Sequence, residues 1–235
     1  MASCFRCTLL MVLCLSIPGR AQTPPPAAQP TTAAASSAAH IVFGDSDIPL
    51  YGPWKFHTGD SPVNPVTGTP LWAEASYDDS AWESVSLQPQ PGWTDPYNGD
   101  PRYIPGWTAK GHPGYMGYAW YRLRIAAIAK QGTRRALACP IYIDDGYQVF
   151  ANGTLLGGYG KFNAGGRWPI VSSTGPAMLY LPESVDRNGG ELPTEQVIAF
   201  RVWMGPMGFT HSPYAGGLHY APRLGVANVI AARTR

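Results

Sequence analysis

From Ile41 onward the chain has no long run with an apolar residue at every third or fourth position. It has instead short β-prone runs, each bounded by Gly, Pro, Asn or Asp. A helix without an apolar stripe has no face to bury, so helical bundles and alternating βα folds are disfavoured and an antiparallel β protein is expected. The sharpest local signal is Asn152-Gly153, set between the runs Tyr147–Ala151 and Thr154–Tyr159. Both residues of a two-residue hairpin turn of type I′ need positive φ, which Asn and Gly tolerate best. Tyr115–Ile125 alternates in its second half, with Trp120, Arg122 and Arg124 opposite Tyr121, Leu123 and Ile125, and is expected to be a half-buried strand. Ala136–Ile143, Met178–Leu181 and Gln196–Met204 add further strands, with Leu50–His57, Leu71–Ala75 and Trp82–Leu87 as shorter candidates. The 27 glycines and 24 prolines supply turns, while 8 tryptophans and 13 tyrosines supply a core that a disordered chain would lack.

The two ends have a different character. Arg6 precedes the apolar run Cys7–Ile17, Pro18 and Gly19 break it, and Gly19-Arg20-Ala21 offers small residues for cleavage, so residues 1–21 are expected to be a secretory signal. The run is too short to span a bilayer, which takes about 20 apolar residues. Residues 22–40 are rich in Pro, Ala, Thr and Ser without an acidic or basic pair or an aromatic ring, and are expected to form a disordered tether. The β domain then occupies 41–226 and a short tail 227–235. The expected location is exported, periplasmic or extracellular. Of the 17 Lys and Arg, Arg6 and Arg20 leave with the signal, and the remainder balances the 15 Asp and Glu. A neutral chain has no bulk charge to attract nucleic acid or anionic lipid, so no nucleic-acid partner is expected. Cys4, Cys7 and Cys14 also leave, and Leu13 before Cys14 does not fit a lipidation site. Cys139 in Leu137-Ala138-Cys139-Pro140-Ile141 remains as a core filler without a disulfide partner.

Four motifs follow one another along the chain: Tyr77-Asp78-Asp79-Ser80-Ala81-Trp82; Tyr118-Ala119-Trp120-Tyr121-Arg122; Ile143 to Gly153 with Gly157 after it; and Val197 to Val202. In order and rough spacing they resemble the galactose-binding-like jelly roll. The chain is similar both to the sugar-binding module of family 2 glycoside hydrolases and, more closely, to periplasmic sensor domains of bacterial membrane signalling proteins. The resemblance covers about Leu50 to Leu224 and implies an all-β antiparallel sandwich that binds a small-molecule or carbohydrate ligand. It also implies, for the sensor case, a membrane signalling region as partner outside this chain. A family 2 hydrolase keeps its catalytic acid and nucleophile in a separate barrel of roughly 250 residues. No catalytic residues are therefore expected here. The fold itself fixes no ligand.

Within the motifs, Asp78 and Asp79 suit an Asx-type turn with Trp82 anchoring the loop, better than calcium ligation, which wants six or more oxygens. Of Asp144 and Asp145, one is expected to fix the chain where it enters the Tyr147 strand. Phe43-Gly44-Asp45-Ser46 resembles the nucleophile block of GDSL-type esterases, but no Asp stands three positions before His211 or His219 to complete a triad. The histidines have no cysteine or carboxylate spacing of a zinc site, and neither metal nor cofactor is expected. Asn152-Gly153-Thr154 fits an N-glycosylation pattern that its hairpin role already explains.

The stretch from Gln88 to Tyr115 is long for a sandwich connection and carries Trp93, Tyr97, Tyr103, Trp107 and Tyr115. Sugar C–H faces stack on such rings while amides, carboxylates and guanidinium groups bind the hydroxyls. Trp93, Asp95, Asn98, Arg102 and Trp107 are therefore the candidate ligand-binding set, with His211 and Tyr214 on a second aromatic loop, Gly205 to Tyr220, as the other lip. The same rings would alternatively cover an open end of the sandwich.

Overall fold

A computed structural model of the chain describes residues 39–42, 47–128, 134–140, 143–160, 162, 178–182, 194–205, 215–227 and 230. The expected signal segment, the tether up to residue 38, Phe43–Ser46, His211, Tyr214 and most of the expected tail lie outside these residues.

Thirteen strands are described: β1 (Ala39–Val42), β2 (Ile48–Pro49), β3 (Trp54–Thr58), β4 (Glu83–Val85), β5 (Gly117–Ile128), β6 (Arg135–Ala138), β7 (Ile143–Asp144), β8 (Gly146–Ala151), β9 (Thr154–Tyr159), β10 (Met178–Tyr180), β11 (Thr194–Met204), β12 (Gly217–Leu218) and β13 (Arg223–Val226). They form an all-β sandwich. One sheet runs β4-β3-β5-β11-β8-β9, antiparallel throughout, and β1 joins the far end of β5 in parallel. The opposing sheet runs β10-β6-β13-β2, and β12 and β7 make a small third pair. β1 begins at Ala39, within the stretch expected to be tether.

The long central strands explain the order of the large sheet. β5 and β11 pair from Gly117–Met204 to Ala127–Thr194, and their inward residues Tyr121, Leu123, Ile125, Ile198, Phe200 and Val202 meet Leu137 and Leu224 of the small sheet. Period-two alternation alone puts these residues on one face.

The other face of β5 is also buried, against expectation. Trp120 and Arg122 are 0% and 1% exposed. The connection between β3 and β4 folds back over this face and builds a second apolar cluster from Trp72, Ala73, Trp82, Trp120, Phe150 and Ala199. Leu71–Ala73, expected to belong to a strand, is a single 3-10 turn whose Trp72 packs edge-on against Trp82 and Trp120. Arg122 ties the cover down: its Nε donates to Asp79 Oδ2 at 2.7 Å and its other nitrogens donate to the carbonyls of Trp72, Glu74 and Tyr77. Asp78 makes the expected Asx turn by accepting from Ser80 N–H at 2.9 Å, but Asp79 serves Arg122 rather than the backbone.

The β8–β9 hairpin turns at Asn152 (φ 48°) and Gly153 (φ 85°), as expected of a type I′ turn. Asn152 also clips the hairpin to β11, its Oδ1 accepting from Val197 N–H at 2.8 Å. A Cβ on Gly153 would meet nothing closer than 3.5 Å, so any penalty there is one of backbone conformation. Gly153→Val is expected to lower stability by about 1–2 kcal/mol, read as the shift in a urea midpoint, because a β-branched residue resists positive φ. An unchanged midpoint would contradict the turn. Asp145 accepts from Gly205 N–H at 2.8 Å and so fixes the chain just before β8.

Candidate functional site

Of the two aromatic loops expected either to form lips or to cover the open end of the sandwich, 88–115 and Gly205 to Tyr220, the described part of the second, Ala215 to Tyr220, packs on the first. Ile104 N–H donates to His219 O at 2.9 Å, and His219 Nδ1 donates back to Ile104 O at 3.0 Å. Trp107 N–H donates to Gly216 O at 2.9 Å, and Thr108 Oγ1 donates to Ala215 O at 3.0 Å. The Tyr103 and His219 rings stack in parallel at 5.1 Å with Tyr220 edge-on to Tyr103. Backbone donors and acceptors in loops of this length need partners, and each segment supplies the other's.

Trp107 is a correction. It sits at the start of the 3-10 turn Trp107–Ala109, is 1% exposed, and packs against Phe56 and Tyr115 with its Nε1 donating to Tyr115 O at 3.2 Å. A Cβ on Gly216, at φ 81°, would stand 2.2 Å from Trp107 Cε2, so the ring is held under a glycine where no larger residue fits. A ring 1% exposed keeps too little surface to stack on a sugar. Asp95 is a second correction. It is 2% exposed, with Oδ1 accepting from Tyr97 N–H at 2.8 Å and Oδ2 accepting from the Tyr220 hydroxyl at 2.7 Å. Its lone pairs shape the loop and clamp it to Tyr220. Burial, followed by that hydrogen bond to Asp95, pushes the Tyr220 phenol up from its ordinary value.

The other candidates remain at the surface. Trp93 is half-buried, Asn98 is exposed with its Oδ1 accepting from Asp100 N–H at 2.8 Å, and Tyr97 is 84% exposed. The Arg102 side chain is 76% exposed, and its Nε and Nη2 reach both oxygens of Asp100 at 2.6 to 3.1 Å. That fork fixes the guanidinium plane and holds the Asp100 carboxyl below the usual carboxylate value. Loop 88–115 thus divides into an inner part that closes the core and an outer rim of Trp93, Tyr97, Asn98 and Arg102.

Beside the buried part of the loop lies a shallow dimple lined by Phe56, Val85, Trp107, Lys110, His112 and Tyr121, with room for about one water molecule. Burial pushes the Lys110 amine down to about 8. His112 Nε2 is 3.1 Å from Glu83 Oε1, and its ring lies 5.2 Å from that of Phe56. Nothing in the residue pattern singled out Lys110, because burial of one lysine stem depends on where the loop lands on β3. Cys139 is 3% exposed and burial pushes its thiol up to about 12, as a packed and unreactive sulfur requires. Among the described residues no three His, Cys, Asp or Glu side chains come together as a metal site, and no helix is long and apolar enough to cross a membrane.

No family model matches the chain, and no curated protein matches it. Solved structures similar to it include a β-glucuronidase of Bacteroides uniformis (14% identity, TM-score 0.47, covering 76% of this chain and 17% of that one). Others are a β-glycosidase of Bacteroides vulgatus (19%, 0.43, 78% and 20%) and a β-glucuronidase of Parabacteroides merdae (15%, 0.45, 77% and 21%). The chain spans about a fifth of the length of these solved chains.

Proposed function

We propose that this chain is a non-catalytic binding module whose ligand is a carbohydrate or another small hydroxylated molecule, taken on the outer rim of loop 88–115. One observation carries it: after Trp107 and Asp95 are used to build the loop, the chain still holds an exposed tyrosine, an exposed amide and a guanidinium braced in one plane within six residues. A braced arginine loses little freedom on binding, and an aromatic ring beside it offers a stacking face, so the rim is pre-organised for hydroxyl-rich surfaces. A shallow site of this kind reaches micromolar to millimolar strength.

Its setting is proposed to be exported, as the sensing part of a membrane signalling protein. A barrel with paired glutamates in the same reading frame would make it an accessory module of a glycoside hydrolase instead. Glycan-array screening of the full chain, followed by calorimetric titration of the best sugar, tests the binding. Tyr97→Ala and Arg102→Ala are each expected to weaken it about tenfold, a loss of about 1.4 kcal/mol, with melting within about 2 °C of the parent. Equal affinity in both variants would reject the rim, and a screen with no bound glycan would reject the carbohydrate class.

A further inference from the structure

The pocket beside Trp107 has no part in the proposed rim, and its chemistry differs. Its floor and walls are Phe56, Val85, Trp107 and Tyr121, all apolar at the surface they present except for the Tyr121 hydroxyl, whose phenol burial pushes up from its ordinary value. Two basic side chains enter it. Lys110 Nζ donates to the carbonyl of Ser86 at 3.2 Å, and among the described residues no carboxylate lies within ion-pair distance of it. The nearest acid lining that edge, Glu83, is engaged by His112 at 3.1 Å. A lysine held by a carbonyl on an aromatic floor, rather than by an acid, loses the main interaction that keeps an ammonium charged.

We propose that Lys110 is a covalent capture site for small aldehydes and ketones, forming an imine in the Phe56–Trp107–His112 pocket. The site does not depend on carbohydrate binding at the rim. The neutral Nζ adds its lone pair to the carbonyl carbon, a C–N bond forms, and the carbonyl π pair moves to oxygen, which takes a proton. The nitrogen then gives up a proton to water, leaving a carbinolamine. His112, in the same pocket, can deliver a proton to the departing hydroxyl, and loss of one water gives the C=N bond. No electrons are exchanged with an external agent, and the reverse addition of water frees the amine. Apolar walls favour the step because they raise the neutral fraction of the amine, which at pH 7 is about one in ten for a group titrating near 8 and about one in three thousand for an ordinary lysine.

The test treats the full chain with glycolaldehyde and sodium cyanoborohydride at pH 7, so that any imine is reduced to a stable secondary amine, and maps the adduct by peptide mass spectrometry. The chain has Lys55, Lys110, Lys130 and Lys161 as internal competitors. Lys110 is expected to be modified at least about tenfold faster than any of the other three, with a rate that climbs through pH 8. Without reductant the adduct should vanish on dialysis, as an imine does. Modification of Lys110 no faster than the other lysines would overturn the proposal, and so would an adduct that survives dialysis unreduced. Because the comparison is made within the parent protein, the folding of a variant does not enter. Lys110→Arg adds a check: its total labelling should fall by the share the map assigns to Lys110.

Discussion

Asp79→Ala is expected to destabilise the domain by about 3–5 kcal/mol, the range seen when one partner of a buried ion pair is removed. The Arg122 side chain is 0% exposed and that of Asp79 7%, so the substitution leaves a guanidinium charge with no acid beside it and no water to replace the acid. Burial already presses the Arg122 guanidinium below its ordinary value, with the Asp79 hydrogen bond opposing that shift. At roughly 2–4 °C per kcal/mol for a domain of this size, the melting midpoint should fall by about 10 °C. Replacing both partners with apolar residues would restore stability if the pair acted alone. Here it should not, because Arg122 also serves the carbonyls of Trp72, Glu74 and Tyr77, and lies 5.4 Å from the Tyr77 ring and 5.8 Å from that of Trp82. Three stranded carbonyls would keep the double variant well below the parent. A thermal melt of Asp79→Ala within about 2 °C of the parent would contradict the clamp.

Trp107→Ala is expected to cost a similar amount, about 3–5 kcal/mol, because it opens a cavity beneath Gly216 and beside Phe56 and Tyr115. The backbone around it is held by hydrogen bonds to Gly216 and Ala215, so the site cannot collapse easily onto the missing ring. Tyr97→Ala, ten residues away along the loop, should stay within about 0.5 kcal/mol of the parent. The pair of melts therefore separates the inner and outer parts of loop 88–115 directly. If Trp107→Ala melts like the parent, the ring is not a core plug, and it returns to the candidates for ligand contact.

Much of the strand framework was readable from local pattern. Alternation in Tyr118 to Ile125 assigned the inward residues of β5 correctly, since side-chain direction in a strand has a period of two whatever surrounds it. Asn152-Gly153 gave its own turn, because positive φ at two successive positions is a property of those residues. The missed strands β1, β2, β7, β12 and β13 are four residues or fewer and carry too few positions for any period to show.

The second face of β5 was not readable in the same way. Arg122 and Trp120 look like outward residues of a half-buried strand, and only the return of the β3–β4 connection over them makes both buried. The division of loop 88–115 was hidden for the same reason. Trp93, Tyr97 and Trp107 sit in similar Gly- and Pro-rich surroundings, yet Tyr97 ends 84% exposed and Trp107 1%. What separates them is the arrival of Ala215 to Tyr220, more than a hundred residues later, which brings Gly216 over one ring and the Tyr220 hydroxyl to Asp95. By itself the sequence determined which residues alternate, where the chain turns and that a sheet would form, because those follow from backbone geometry within a few bonds. Which aromatic rings fill the core and which stay on the rim were decided only by tertiary contact, since burial depends on segments distant in sequence.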